Sequence, residues 1–375
     1  MEKKRCKIVF EAGKGTILDV VEKEEGWVIK ALLRKENEVN GNEAKNVISS
    51  KEAKLINTWQ LAILPNVSAG EYAKVLSVYT DKAGNRAVVP PGFTVSGVAK
   101  ENIIWGKNKG LVIYRIPEEE VNGINWEDPD VVETLMIKYD QYVWIPVELL
   151  TANGTLDGIH FNEKFGIRIH KNDEFSKPYY EPLVRSFLSK KESIDKYDGY
   201  YVSRYLMSRG IRGKYLTLDA RTVKGSMPWT DINLGCADVS AWAGMVDRKI
   251  VTRHILHDAE YDTIAQWLID TGTVSIEDIA EDSTNLGNYK NNNDYPDRKV
   301  KTGEDGCINN IYGLAGNVTE MTVTGTSKEF MYLLFRRGGN CLSNGYDYPI
   351  GFRGYSGGPN DNDYYNGYRT TLRIK

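Results

Sequence analysis

Residues 338–369 constrain this chain more than any other stretch. They read GGNCLSNGYDYPIGFRGYSGGPNDNDYYNGYR. Of these 32 residues, 8 are Gly, 6 Tyr, 5 Asn, 3 Asp and 2 Ser, so five residue types fill 24 places and leave little to build a core. Lys, Glu, Gln, Met and Trp are absent from the window, although Lys and Glu abound elsewhere. The mixture is that of a paratope. Tyr supplies rigid amphipathic contact area, Asn, Asp and Ser supply adaptable hydrogen bonds, and Gly lets the backbone turn.

A chain of 375 residues with 41% apolar residues is long enough for two domains with a real core. A net charge of -3 and a pI near 6.0 argue against nucleic acid as the main partner. No apolar run is long enough for membrane insertion. The opening MEKKRCKIVFEAGKG has basic residues with no apolar stretch behind them, so no secretory signal is expected. Cys6, Cys236, Cys307 and Cys341 are widely spaced and form no CxxC, so reduced thiols are expected. These features point to the cytoplasm or a particle assembled there, such as a virion.

Residues 1–85 read as a small β-rich unit. Alternating runs at 6–20 and 26–33 predict strands, as do 59–64 and 72–79, with a polar loop at 35–54. A second domain is expected over 86–375. Its strands fall at 87–97, around a Pro-Pro-Gly turn, and at 109–117, 142–148 and 199–205. An amphipathic helix is expected within 181–196 and a shorter one over 238–246. The clearest helix is 258–271, where Tyr261, Ile264, Ala265 and Leu268 recur at i, i+3, i+4 and i+7 and Gly272 follows as a stop. Beyond Gly272 the chain reads mostly as loop.

Three phrases of the second domain resemble one family. KGSMPWTDI (224–232), HILHDAEYDTIAQWL (254–268) and YGLAGNVTEM (312–321) are followed by RRGGN (336–340) and GYRTTLRI (367–374). Their order is similar to that of the formylglycine-generating enzyme, or sulfatase-modifying factor, family. The resemblance spans about residues 87–375 and is most specific in the last sixty. It implies an α+β, C-type-lectin-like fold, loop-rich, with two helices and a twisted antiparallel sheet that displays long loops. Asn317, Arg337, Gly338, Gly339 and Arg369 then belong to the scaffold. Gly338-Gly339 sit where backbone turns or approaches another strand. Arg337 and Arg369, which flank the window, are expected to hold it through backbone carbonyls.

The residues do not support the family's oxidase chemistry, so no catalytic residue, metal or cofactor is expected. That chemistry needs two nearby thiolates for copper. Only Cys341 lies in the region. His254 and His257 could face the same way, but two ligands without a third make a poor iron site, and they read as surface or loop histidines. The Asn/Asp runs at 291–297 and 360–363 do not match an EF-hand and read as solvated loops.

The window has a further signature. Randomising both adenines of an AAC codon can yield Asn, Asp, Tyr, Ser, Gly, Cys, Leu, Pro, Ile, Phe and Arg among others, and cannot yield Lys, Glu, Gln, Met or Trp. The residues present and absent in 338–369 fit that set. In this the chain resembles the variable proteins of diversity-generating retroelements, which often carry a lectin-like fold. The implied surface is Leu342, Ser343, Asn344, Tyr346, Asp347, Tyr348, Tyr355, Asn360, Asp361, Asn362, Asp363, Tyr364, Tyr365 and Asn366. Its expected partner is a protein or glycan on a cell surface, with residues 1–85 anchoring the chain to a carrier particle. The alternatives are a metal-dependent oxidase of the same fold and a prophage structural or adhesion protein that is not diversified.

Overall fold

The computed structural model describes residues 5–8, 17–23, 26–32, 61–104, 109–147, 192–209, 215–216, 250–328, 331–355 and 365–375. The chain divides into two compact units, Met1–Ile48 and Ser49–Lys375. In the first, strands β1 (Arg5–Ile8), β2 (Ile17–Lys23) and β3 (Gly26–Leu32) form an antiparallel sheet in sequence order. The alternating run at 6–20 therefore supplies two strands.

The second unit is built on an antiparallel six-stranded sheet of order β12-β19-β9-β8-β7-β6. These strands are β6 (Thr94–Val95), β7 (Val112–Tyr114), β8 (Gln141–Pro146), β9 (Gly199–Ser203), β12 (Val251–Ile255) and β19 (Thr370–Ile374). The sheet is buried on both faces, and the period of two sorts its residues. Val112, Tyr114, Val143, Ile145, Tyr200 and Val202 join one core; Leu111, Ile113, Tyr142, Trp144, Tyr201 and Leu372 join the other. The hairpin of β4 (Ser77–Thr80) and β5 (Arg86–Val89) covers the second face, where Leu61, Val67, Ala73, Ala87, Val88 and Val89 are buried. Residues 61–89 are thus part of the larger unit, and the division falls at 48/49 where the sequence placed it near 85. Residues 61–63, expected in a strand, are helical.

Helix α4 (Asp258–Asp270) covers the first face. Tyr261, Ile264, Ala265 and Leu268 are the periodic positions, and all are buried in that core. The helix stops where Gly272 takes φ +67. Other described α-helices are α1 (Glu118–Val121), α2 (Pro129–Lys138), α3 (Glu192–Tyr197) and α5 (Ile276–Ala280), with short 3-10 turns at Ala99–Glu101 and Thr284–Leu286. Helix α2 was not anticipated, although its start is legible. Asp128 caps it by accepting from the Asp130 and Val131 N–H groups, and Pro129 takes the first helical position. The helix expected at 238–246 lies outside the described residues.

Two short hairpins pair β10 (Ser208–Arg209) with β11 (Tyr215–Leu216), and β13 (Cys307–Ile308) with β14 (Ile311–Tyr312). A four-stranded sheet, β17-β16-β15-β18, carries the diverse window. It comprises β15 (Thr319–Lys328), β16 (Met331–Arg337), β17 (Arg353–Tyr355) and β18 (Asn366–Tyr368), with β18 parallel to β15. The architecture is mixed helix and open sheet, rich in loops. Among the described residues no helix is long and apolar enough to cross a membrane.

Candidate functional site

Strand register brings both described parts of the window to one end of the four-stranded sheet. Arg337, the last residue of β16, pairs with Arg353, the first of β17, so residues 338–352 loop out at that end. Glu320 pairs with Arg337 and Thr319 with Asn366, so β18 begins there too. The Thr319 N–H donates to the Tyr365 carbonyl at 2.9 Å, and the Cys341 N–H to the Asn317 carbonyl at 3.2 Å.

A closed cluster of four buried charges clamps the base of the 338–352 loop. Asp258 and Asp262 lie at i and i+4 on α4 and so share a face. Arg337 donates to Asp258 at 2.9 Å and Asp262 at 2.5 Å, and Arg353 reaches the same two carboxylates at 2.7 and 2.5 Å. Each charge meets two of opposite sign, which offsets the cost of removing them from water. Burial pushes the Asp262 carboxyl up, and the two guanidiniums pull against that shift. Arg337 therefore grips helix carboxylates, where the sequence suggested backbone carbonyls. Arg369 does hold carbonyls, those of Ser203, Arg204 and Tyr312 at 2.8, 3.2 and 2.6 Å, and it also forks onto Glu320.

The loop backbone is fixed along its length. The Lys290 N–H donates to the Ser343 carbonyl at 3.0 Å and the Ser283 N–H to that of Gly345 at 3.2 Å. The Gly345 N–H donates to Asn291 Oδ1 at 3.1 Å, and the Ile350 N–H to Ser283 Oγ at 2.8 Å. The Tyr289 hydroxyl donates to the Tyr348 carbonyl at 2.9 Å. Gly339 is required by close approach, because a Cβ there would lie 2.8 Å from both Tyr289 Cε1 and Tyr348 Cβ. Gly316 and Asn317 turn the chain at φ +71 and +58. The Asn317 amide spans the turn, donating to Asp305 Oδ2 at 3.0 Å and accepting from the Val300 N–H at 3.0 Å.

From this frame the side chains divide cleanly. Cys341 and Ile350 are fully buried, while Leu342 is 47% and Tyr346 49% exposed. Asp347 is exposed, and Ser343, Asn344 and Tyr348 are half-buried. Asn344 donates to the Tyr346 hydroxyl at 2.9 Å and to Asp347 at 3.2 Å, so the three form one polar patch. Tyr348 packs edge-on against Phe352. Tyr365 is half-buried, with the Lys299 ammonium 5.8 Å from its ring centre.

Asn366 is a correction. It is the first residue of β18 and only 7% exposed, so it belongs to the frame more than to the surface. Tyr355 is in β17, and Asn360, Asp361, Asn362, Asp363 and Tyr364 lie outside the described residues.

No protein-family profile and no curated protein matches this chain. One solved structure does. It is Treponema denticola variable protein 1, at 14% identity and a TM-score of 0.32, over 47% of this chain and 85% of that one. A likeness this slight fixes neither fold nor function.

Sequence reasoning missed Arg353, Asp258, Asp262, Glu320 and Tyr289. The Asp258/Asp262 spacing on the helix expected at 258–271 was the available signal, but nothing local pairs it with two distant arginines. The histidines also differ from expectation. His254 is in β12 and half-buried, and His257 is the buried residue that precedes α4. Their rings lie 5.0 Å apart, and the Glu260 carboxylate joins them. Of the cysteines whose side chains are described, Cys307 is exposed and Cys341 buried, and burial pushes the Cys341 thiol up.

Proposed function

We propose that the chain is a binding protein whose recognition surface is the solvent-facing side of residues 338–369, carried on a C-type-lectin-like frame of the formylglycine-generating-enzyme type. The observation that carries the reading is the contrast within the 338–352 loop. Its backbone is tied down by buried charges and hydrogen bonds, while Leu342, Tyr346 and Asp347 face solvent. A fixed backbone keeps the ordering entropy of binding low, and side chains can be exchanged without refolding. Tyrosines fill hollows on the partner, and Asn, Asp and Ser satisfy its polar rim. The partner is a protein or glycan on a cell surface, and the N-terminal unit serves as the attachment to a carrier.

The residue set of the window supports a second layer of the proposal, that a diversity-generating retroelement rewrites it. Sequencing the locus in independent isolates tests this. The expected result is a neighbouring reverse transcriptase and a near-copy of the 3′ end that differs at adenines. Changes should fall on the codons of Leu342, Ser343, Asn344, Tyr346 and Asp347 and spare those of Arg337, Gly339, Arg353 and Arg369. Differences spread evenly over window and frame would refute diversification and leave a fixed-specificity adhesin.

A further inference from the structure

Two histidines and a glutamate from different elements meet where α4 begins. Edge strand β12 carries His254, its register partner on β19 is Thr371, His257 is the residue that caps the start of α4, and Glu260 sits on its first turn. Their ligand atoms all lie within 4.8 Å of one another, and this is the one such His/Cys/Asp/Glu group among the described residues. His254 Nε2 is 3.3 Å from each Glu260 oxygen. That is close to the edge of about 3.4 Å between donors that each bond a tetrahedral ion at about 2.05 Å, and side-chain rotation must draw the rest of the trio in from a spread of up to 4.8 Å. Glu260 is also held in place. It accepts from the His257 N–H at 2.7 Å and from Arg373 Nε at 2.9 Å.

From this geometry we propose that His254, His257 and Glu260 bind a divalent transition-metal ion, Zn²⁺ or one of similar preference. Two imidazoles and one carboxylate form an N/N/O set suited to Zn²⁺, Co²⁺ or Ni²⁺. Two nitrogen donors beside a single carboxylate favour these ions over Ca²⁺ or Mg²⁺, which take oxygen ligands. Arg373 acts as the outer partner that orients the carboxylate. When His254 Nε2 turns to the ion, Thr371 Oγ1, now 2.6 Å from it, can donate to Glu260 Oε2, 3.4 Å away. Half-buried His254 provides the entry side, and three protein ligands leave a fourth position for water. The ion would tie β12 to α4, the helix whose Asp258 and Asp262 anchor the window. The proposal is independent of the recognition reading.

The test titrates the full chain, stripped with chelator, with CoCl₂ and with ZnCl₂ alone, following the visible cobalt spectrum and the thermal midpoint. The expected result is a saturable one-to-one cobalt absorbance without thiolate charge-transfer bands, displaced by Zn²⁺, and a Tm that rises with added ion. His254→Ala, on an edge strand, should fold by circular dichroism and lose more than about ten-fold in affinity. The chain has two other histidines, His160 and His170, and a His160→Ala/His170→Ala variant should bind like the parent. Binding should weaken at acid pH, because the imidazoles must be neutral to ligate. No binding, binding unchanged in His254→Ala, or bands showing cysteine ligation would overturn the proposal.

Discussion

Arg369→Met is the most informative single perturbation of the frame. Arg369 is fully buried and donates to both Glu320 oxygens and to the carbonyls of Ser203, Arg204 and Tyr312. Methionine fills much of the volume but supplies no donor. Glu320 would be left as a buried charge without its partner, which costs about 3–5 kcal/mol. Carbonyls stranded without donors add about 1 kcal/mol or more where water cannot reach them. The total, about 4–6 kcal/mol, is comparable to the whole stability of many domains, roughly 5–15 kcal/mol. Urea unfolding, followed by far-UV circular dichroism and tryptophan fluorescence, should show the midpoint falling by a large fraction or a chain already unfolded without urea. Arg369→Lys keeps the charge but not the planar fork and should fall between. Glu320→Gln combined with Arg369→Met should recover part of the loss, because the stranded charge is gone. A loss below about 1 kcal/mol in Arg369→Met would show that this guanidinium is solvated, and the account of how the loops are fixed would fail.

Three further outcomes follow from the same geometry. Gly339→Ala drives a methyl group into Tyr289 and Tyr348 and should cost about 1–3 kcal/mol in chemical denaturation. Asn344→Ala, on the half-buried polar patch, should change stability by less than about 1 kcal/mol in the same assay. Burial pushes Asp305 up to about 6, so the folded chain keeps a proton that the unfolded chain has released between about pH 4 and pH 6. This group therefore costs stability as pH rises through that window. Stability measured for Asp305→Asn relative to the parent should improve by about 2 kcal/mol between pH 4 and pH 7, and a flat difference would contradict the burial of the carboxyl.

Much of the frame could be read from the sequence because its signals are local. The i, i+3, i+4, i+7 run in α4 and the apolar runs that became β7, β8 and β9 state their partners' geometry directly. The division between units was misplaced because residues 61–89 alternate like the strands before them, and only packing on Tyr142, Trp144 and Tyr201 assigns them to the larger unit. Composition singled out the window but not which of its residues face solvent: among those described, Leu342, Tyr346 and Asp347 are exposed, while Cys341, Ile350, Phe352 and Tyr368 are buried. Asn366 has the composition of the window, but its register with Thr319 makes it part of a sheet. The clamp of Arg337 and Arg353 on Asp258 and Asp262 spans more than 70 residues of sequence, as does that of Arg373 on Glu260. No local pattern encodes such pairs; topology brings them together.

The account rests on an exchangeable surface carried by a frame that does not depend on it. The direct measurement is the thermal midpoint of a set of chains in which Leu342, Ser343, Asn344, Tyr346 and Asp347 are randomised together. Substitutions at exposed Leu342, Tyr346 and Asp347 each contribute within about 0.5 kcal/mol and those at half-buried Ser343 and Asn344 less than about 1 kcal/mol, so most members should unfold cooperatively within several degrees of the parent. If most of the set instead loses cooperative unfolding, those side chains are part of the frame, and the recognition surface does not exist as described.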